Sequence, residues 1–291
     1  MSFPKFAAKD LSESGQLSMI VSKERKMEVI DLNEKYGHDY CVCLEDWSAE
    51  IKEAGDHKER WYERMKDRGL GVKIALDGDK VCGMIQYLPI EQSFAEGTGL
   101  YFVHCIWVHG YKQGVGNQQK KGMGQALIRA AEEDVRSRGA KGLAAWGVSL
   151  PFFMRASWFR KQGYQRVDKN GMSVLLWKPF AADAVPPKWI REKKRPEKSE
   201  GKEKGKVMVW AFKNGWCPAM NMTYERAKRA AAEFGDKVEF KSVDTFDRSV
   251  FLEWGIADGL FIDGKPVRTG PPPSYKKIRN KIAGRAKKLK K

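Results

Sequence analysis

The feature that most constrains the fold is the apolar stretch "LYFVHCIWV" at Leu100–Val108, which is followed by a glycine-containing turn and an amphipathic segment. A run this long and this apolar predicts a strand that is buried on both faces of a sheet. The segment from about Gly124 to Arg138 has the apolar spacing of a helix, and Gly139 follows it as a stop signal. Together these segments predict an α/β protein whose first half is built around a central sheet.

Strand and helix patterns alternate from about Lys26 to Phe180. The predicted order is one strand, two helices, three strands, a helix, a strand, a helix and two strands. Two of the strands form a hairpin at Asp77–Asp79, where Gly78 permits the positive φ of a tight turn. We therefore expect an irregular leader at residues 1–26 and a first domain at residues 27–180.

The chain changes character at residues 181–206, "AADAVPPKWIREKKRPEKSEGKEKGK". Two adjacent prolines, dense charge and few apolar side chains cannot repay the entropy cost of ordering, so a charged linker is expected there. Strand and helix patterns return at residues 207–291. They predict a second, smaller α/β domain that ends in a basic helix.

The charge balance is strongly positive, with 54 Lys and Arg against 37 Asp and Glu and a formal net charge of +17. Such a charge indicates an anionic partner, which could be nucleic acid, a phosphorylated cofactor or an acidic surface. Much of it lies in the linker and in the last helix, where a solvated linker and tail would also explain it. No RNA- or DNA-recognition motif accompanies it, so nucleic acid is a candidate partner without further support.

Location is suggested by what the sequence lacks. No signal-peptide pattern and no apolar run long enough to cross a bilayer are found, so no membrane partner is expected. Five cysteines, an odd number, fit a reducing compartment better than a disulfide framework. We therefore expect a cytoplasmic protein.

The turn between the apolar strand and the following helix is Gln119-Lys120-Lys121-Gly122-Met123-Gly124. Such a turn presents backbone N–H groups at a helix N-terminus, where the helix dipole favours a phosphate, and glycines let a pyrophosphate approach the backbone. It is not a P-loop, because Gln and Ala follow Gly124 in place of Lys and Ser or Thr. It also follows a fourth strand, whereas the dinucleotide-binding fingerprint follows a first one.

This pattern, Gln-x-x-Gly-x-Gly after a strand that ends in Val108, resembles the signature of the GNAT superfamily of N-acetyltransferases over about Lys26–Phe180. "KQGYQRVD" resembles the segment that closes the last helix of that fold. "CIWVHG", "GMIQYLPIE" and the second domain are similar, more narrowly, to the YoaP-like group, in which a GNAT domain precedes a thioredoxin-like domain. The chain departs from the family by the extra residues "YKQGVGN" before the motif.

The resemblance implies an α/β GNAT acyl-CoA N-acyltransferase fold with a mixed central sheet, and acetyl-CoA as the co-substrate. The acetyl group would pass to a primary amine of an unidentified acceptor. Pantetheine would lie along the strand end and pyrophosphate on the turn, which implies these cofactor-binding residues: Ile106, Trp107, Val108, Gln119, Lys120, Lys121, Gly122, Met123, Gly124 and Gln125. Two alternatives stay open, each with a CoA-binding GNAT domain: a thioredoxin-like protein that binds a thiol or a substrate, and a basic nucleic-acid-associated protein.

The catalytic residues are less clear from the sequence. Enzymes of this fold often use a carboxylate on the fourth strand as base and a Tyr on the last helix as acid, but Leu100–Val108 has no Asp or Glu, and Phe159 occupies the frequent Tyr position. The remaining candidates are His104 as the base, Glu91 as a base acting through water, and Tyr164 or Tyr101 as the acid, although packing would also explain either tyrosine.

His104 has an equally good structural interpretation, as a histidine packed in the sheet. Strict strand alternation would place it on one face with Phe102, Ile106 and Val108. The same alternation places Cys105 on the opposite face, which disfavours a nucleophilic Cys–His pair.

Two stretches carry cysteines of interest. "VMVWAFKNGWCPAM" resembles the strand and active turn of a thioredoxin-like domain, with Cys217 before Pro218 at a helix N-terminus and Met220 where the resolving cysteine would be. A dithiol cycle is not expected, but Cys217 is a candidate thiol site that should react faster than Cys82 and Cys105. A non-catalytic domain that holds a substrate is the alternative.

"HDYCVC", at His38–Cys43, offers two thiols and one imidazole. A structural zinc ion takes four ligands, and no second cysteine pair follows at zinc spacing, so we predict packing and no metal. In the GNAT fold the first helices border the acceptor pocket, so the resemblance implies substrate contact as the alternative.

Overall fold

The computed structural model describes residues 27–150, 153–200, 203 and 205–289. The expected leader at residues 1–26 lies outside the described residues, as do Pro151 and Phe152 in the segment predicted as the last helix of the first domain.

A seven-stranded sheet forms the centre of the first domain. The first eight strands are β1 (Met27–Asp31), β2 (Gly71–Asp77), β3 (Lys80–Pro89), β4 (Ala95–Glu96), β5 (Leu100–Val108), β6 (Gly142–Val148), β7 (Gln165–Asn170) and β8 (Ser173–Pro179). The sheet order is β1-β2-β3-β5-β6-β8-β7, and only the β5–β6 pair is parallel. The predicted mixed α/β architecture is confirmed.

Helices cover both faces of this sheet. They are α1 (Gly37–Cys41), α2 (His57–Met65), α3 (Met123–Ser137) and α4 (Ala156–Lys161). On one face α3 buries Leu127, Ile128, Ala131 and Val135, and α1 and α2 bury Tyr40, Trp61 and Met65 in the core of the other face. The helix α4 is shorter than the sequence pattern predicts, because Met154 has a positive φ of 44° and Arg155 is extended.

A β-bulge interrupts the pairing of β3 with β5. Gln86 pairs with Cys105 and Tyr87 pairs with Val103, so His104 is an extra residue on the bulged strand. The alternation of β5 side chains between the two faces of the sheet therefore changes phase at this residue. Ile106 joins the core on the α3 side, whereas Cys105 joins the core on the α1–α2 side.

The expectation that His104 shares a face with Ile106 and Val108 is wrong for this reason. The imidazole packs instead against Trp61 of α2, on the same side of the sheet as the Cys105 side chain.

The described part of the linker is ordered against both domains. Within it β9 (Lys188–Trp189) pairs with β4, and Ile190 is only 5% exposed. The Lys193 N–H donates to the Trp254 carbonyl of the second domain at 2.9 Å. An unordered linker was expected because the segment has few apolar side chains. Those few side chains are buried against neighbouring structure and order the segment around them.

The second domain has a four-stranded sheet and three helices among the described residues. Its elements are β10 (Val207–Lys213), α5 (Pro218–Ala232), β11 (Val238–Asp244), α6 (Arg248–Trp254), β12 (Gly259–Ile262), β13 (Lys265–Val267) and α7 (Tyr275–Ala286). The order is β11-β10-β12-β13, with β10 and β11 parallel and the other pairs antiparallel. The predicted second α/β unit and its basic terminal helix are present.

The second domain packs on the α1–α2 face of the first. Trp216, which is 7% exposed, belongs to the apolar core on that face and lies 5.5 Å from the His104 ring. Arg226, whose side chain is 4% exposed, donates to Glu50 at 2.8 Å and to Glu53 at 2.9 Å across the interface. A shared apolar core and the ion pairs of the buried Arg226 side chain therefore join the two domains.

Candidate functional site

The strands β5 and β6 separate beyond their first residues. They pair from Leu100 opposite Gly142 to Val103 opposite Ala145, but β5 continues to Val108. The indole Nε1 of Trp146 reaches across and donates to the His104 carbonyl at 2.9 Å. A wedge therefore opens between the ends of the two parallel strands, and the edge of β5 that faces it has no strand partner among the described residues.

The glycine turn lies next to this wedge, at the start of α3. Gly122 is the residue before the helix and has a φ of +86°, and apart from its chain neighbours no atom of the described residues lies within 4 Å of the place where a Cβ would be. Glycine is thus needed there for its backbone conformation. At Gly124 a Cβ would lie 3.3 Å from the Trp158 ring, so this glycine allows close packing. No acidic residue occupies the first turn of α3, where N–H groups have no helical partner.

The two groups of predicted cofactor-binding residues meet in the structure. The Gln119 side-chain amide donates to the Val108 carbonyl at 3.3 Å, which joins the turn to the end of β5. The Lys121 ammonium donates to Gln118 at 2.8 Å, and Lys120 has a positive φ of 64°. The sequence motif is therefore placed beside the open strand edge.

A residue that sequence reasoning missed, His109, organises the extra loop. It is fully buried, and its backbone N–H donates to Cys82 at 2.9 Å. Its Nε2 accepts from the Trp47 indole at 3.1 Å, so Nδ1 carries the proton and donates to the Gly116 carbonyl at 2.8 Å. The sequence signal that could have identified this residue is a histidine directly after a buried strand and before a glycine-rich loop.

His104 is enclosed by aromatic rings from both domains. It is 1% exposed, and its ring centroid lies 4.6 Å from that of Phe94 and 5.5 Å from that of Trp216. Neither ring nitrogen has a hydrogen-bond partner among the described residues. Burial, with a smaller contribution from Arg248, lowers the pKa of His104 to about 3. The imidazole is therefore neutral at physiological pH.

The other two catalytic candidates lie elsewhere. Glu91 is exposed in a short 3₁₀ turn after β3. Tyr164 is 2% exposed and packs on Phe159 in the core on the α3 side, and burial, followed by the charge of Glu132, raises its pKa. The structure does not bring His104, Glu91 and Tyr164 together.

Cys217 precedes α5, as expected, but it is not an activated thiol. Burial raises its pKa to about 12, and the neighbouring thiol of Cys43 acts in the same direction. Burial also raises the pKa of Cys82 and of Cys105, and both of these side chains are more buried than Cys217, so faster reaction of Cys217 than of these two thiols stays a prediction. The packing of Cys217 against the first domain causes its burial.

The described part of the chain contains no group of three His, Cys, Asp or Glu side chains that could hold a metal ion. Of the helices in that same part, none is both long and apolar enough to cross a membrane.

A family comparison assigns the first domain. Residues 40–164 match the model of the acetyltransferase (GNAT) family, and the matched range contains β5, the glycine turn and α3. Over these residues the first domain is similar to the GNAT acetyltransferase superfamily. The predicted GNAT fold is thus confirmed, and the match ends before the linker and the second domain.

Solved structures similar to the chain include two acetyltransferases. A GNAT family acetyltransferase from Brucella melitensis in complex with acetyl-CoA is 15% identical, with coverage of 56% of this chain and 92% of that chain and a TM-score of 0.38. The PaiA N-acetyltransferase from Thermoplasma acidophilum in complex with coenzyme A is 13% identical, with coverage of 53% and 99% and a TM-score of 0.39. Comparison with curated proteins gives no significant match.

Proposed function

We propose that the protein is an N-acetyltransferase that transfers the acetyl group of acetyl-CoA to a primary amine. The observation that carries the proposal is the end of β5, which runs past its pairing with β6 at Val103 and is joined to the glycine turn by the hydrogen bond from Gln119 to the Val108 carbonyl. An open strand edge can pair with an extended pantetheine chain, and a helix N-terminus can bind a pyrophosphate. The match to the acetyltransferase family supports acetyl-CoA as the co-substrate.

In this proposal the pantetheine lies along Ile106–Val108, and the pyrophosphate is bound by backbone N–H groups of Gln119–Gln125. Lys120 and Lys121 add positive charge beside it. Acetyl-CoA supplies an activated thioester, so the protein must mainly hold a neutral amine against the carbonyl carbon. His104, Glu91 and Tyr164 lie apart. Catalysis in this proposal therefore depends more on positioning the amine against the thioester than on a dedicated acid–base pair.

We further propose a thioredoxin-like fold of the YoaP-like type for residues 207–291, after a linker at residues 181–206. The parallel β10–α5–β11 unit, followed by the antiparallel β12–β13 hairpin and α7, supports this assignment. Met220 in place of a second cysteine favours a role in packing or in substrate binding over thiol redox chemistry. All five cysteines are free, which supports a reducing, cytoplasmic location.

The CoA site can be tested by a pair of glycine substitutions on one helix. Gly122→Glu adds bulk and negative charge where the pyrophosphate would bind, and we expect binding of CoA to fall below detection in calorimetry. Gly139→Glu is the matched control, since Gly139 lies beyond the other end of α3, with a φ of +78° and open space around a Cβ as far as the described residues extend.

Both substitutions place a side chain at a positive φ and should cost a similar stability, of about 1–2 kcal/mol. Only the Gly122 variant should lose CoA. Equal CoA affinity in the two variants would show that the turn does not hold the pyrophosphate.

A further inference from the structure

Aromatic side chains gather where β5 ends. The members of this aromatic cluster are Trp47, Trp107, Tyr111, Trp146 and Phe153. Tyr111 lies 5.2 Å from Trp47 and 6.0 Å from Trp107 between ring centroids, and Phe153 lies 6.0 Å from Trp107 and 6.1 Å from Trp146. Trp47 and Tyr111 are 39% and 42% exposed, so the cluster opens to solvent. Exposed aromatic groups of this size commonly mark binding sites.

The cluster lies at the wedge. Trp146 follows Ala145, the last residue of β6 that pairs with β5, and its indole bonds to the His104 carbonyl of β5. Trp107 belongs to the open end of β5 and faces the α1–α2 side of the sheet, together with Cys105. Its Nε1 is buried without a hydrogen-bond partner in the part of the chain that the structure describes. The rings therefore surround one side of the proposed pantetheine path.

The chain next to these rings is acidic, in contrast to the rest of the protein. No Lys or Arg occurs between Lys35 and Lys52, whereas the net charge of the whole chain is +17. The carboxylates in this stretch are Asp39, Glu45, Asp46 and Glu50. Asp46 bonds to His38, and Glu50 bonds to Arg226.

Glu45 lies two residues before Trp47 of the aromatic cluster, in the turn that follows α1. It is partly buried, and its charge, after burial, raises the pKa of Tyr111. Burial also raises the pKa of Glu45 itself. A partly buried carboxylate beside aromatic faces is a site for a cation, because both the charge and the ring quadrupoles attract it.

From this juxtaposition we infer that the aromatic cluster and Glu45 form the acceptor site, and that the acceptor is an arylalkylamine, a primary amine joined by a short chain to an aromatic ring. The inference rests on the proposed acetyl transfer. The rings pack against the aromatic group of the acceptor, and Glu45 attracts its ammonium group toward the wedge. One adjoining carboxylate fits one ammonium group better than it fits a polyamine.

The reaction balances without a further reactant. The bound ammonium releases one proton to water through Glu45, and the neutral amine attacks the thioester carbon. A C–N bond forms and the C–S bond breaks. The thiolate of CoA takes up the second proton that the nitrogen loses, so the products are the N-acetylated amine, CoA and one free proton.

A substrate panel tests the inference with the full chain, with thiol release measured at saturating acetyl-CoA. Tryptamine and phenethylamine should have a kcat/KM at least about tenfold above those of n-butylamine and spermidine, since stacking and cation–π contacts together reach that size. An equal or better kcat/KM for n-butylamine or spermidine would overturn the inference and leave the proposed function intact. Failure of acetyl-CoA itself to bind, measured by calorimetry, would instead overturn the proposed function.

Two substitutions locate the acceptor on these residues. Tyr111→Ala and Glu45→Gln should each raise the KM for tryptamine about tenfold and leave the KM for acetyl-CoA unchanged. The controls are Met172→Ala, at a methionine 53% exposed in the turn before β8, and Glu28→Gln, at an exposed carboxylate on β1. Neither control should change either constant.

Binding can be followed apart from turnover. Calorimetric titration of tryptamine into the protein saturated with CoA should give a dissociation constant that Glu45→Gln raises about tenfold. Unchanged tryptamine binding in both Tyr111→Ala and Glu45→Gln would place the acceptor elsewhere and overturn the inference.

Discussion

Replacing His104 by leucine would distinguish a structural role of its imidazole from a catalytic role. The imidazole is 1% exposed, and neither ring nitrogen has a partner among the described residues. A buried polar group left unpaired costs about 1–3 kcal/mol, and leucine of similar volume removes that cost. We therefore expect His104→Leu to raise the free energy of unfolding near pH 8.

The pH dependence gives a larger and more specific signal. Burial lowers the pKa of His104 from 6.5 to about 3, so below pH 6.5 the unfolded chain binds a proton that the folded chain does not. This contribution to stability is present above the unfolded pKa and is lost as the pH falls toward the folded one. One pKa unit corresponds to about 1.4 kcal/mol, so the loss at about pH 5 is about 2 kcal/mol.

The assay is urea unfolding followed by tryptophan fluorescence at several pH values between about 5 and 8. The difference in unfolding free energy between His104→Leu and the wild type should grow by about 2 kcal/mol toward the acid end. His38→Leu is the control, because the His38 side chain is 69% exposed, and its difference from the wild type should vary much less. A pH-independent difference for His104→Leu would refute this account of its burial.

Turnover measured on the same variant decides the catalytic question. A buried, neutral packing residue predicts a kcat within a few-fold of the wild type. Loss of a general base would lower kcat by about 10²-fold or more, and such a loss would refute the structural interpretation.

Two further predictions concern the interface between the domains. Arg226→Leu removes a 4% exposed cation from Glu50 and Glu53, which are 72% and 28% exposed, and should lower the unfolding free energy by about 1.5–3 kcal/mol, the size of hydrogen bonds to charged groups. Arg279→Leu, at a half-exposed arginine paired within the second domain, should cost about 1 kcal/mol or less, and equal losses would contradict the assigned burial of Arg226. Burial raises the pKa of Cys217 to about 12, so iodoacetamide should label this thiol at neutral pH only after urea unfolding. Labelling is detected by mass spectrometry of the peptide that contains Cys217. Rapid labelling of the native protein would show that the thiol is open to solvent.

Local signals predicted much of the first domain. The hairpin follows from the glycine at position 78, where φ is +62°, and α3 follows from the apolar spacing of Leu127, Ile128, Ala131 and Val135. The glycine turn was recognised because its Gln-x-x-Gly-x-Gly pattern lies between an apolar strand and a helix, and in the structure Gly122 has a positive φ that other residues adopt at a cost. These features depend on residues close together in sequence.

Features set by distant residues could not be predicted in the same way. The bulge at His104 depends on the register of β5 against β3, and alternation within β5 alone does not reveal an extra residue. The position of Trp216 in a core of the first domain depends on how the domains pack. The same packing explains why the pKa of Cys217 is raised. The sequence shows that Cys217 lies at a helix N-terminus, which lowers a thiol pKa, but it does not show the burial that has the opposite effect.

The place of Trp216 in a core of the first domain has a consequence for synthesis of the chain on the ribosome. The last strand of the first sheet ends at Pro179, so all its strands precede Trp216 in the order of translation. At about 5–20 residues per second, the segment between them takes on the order of a few seconds to add. During that interval the surface around Phe94 and His104 lacks its covering indole. The nascent first domain therefore passes through a state with an apolar surface open to water and to chaperones, and it closes that surface when the second domain arrives.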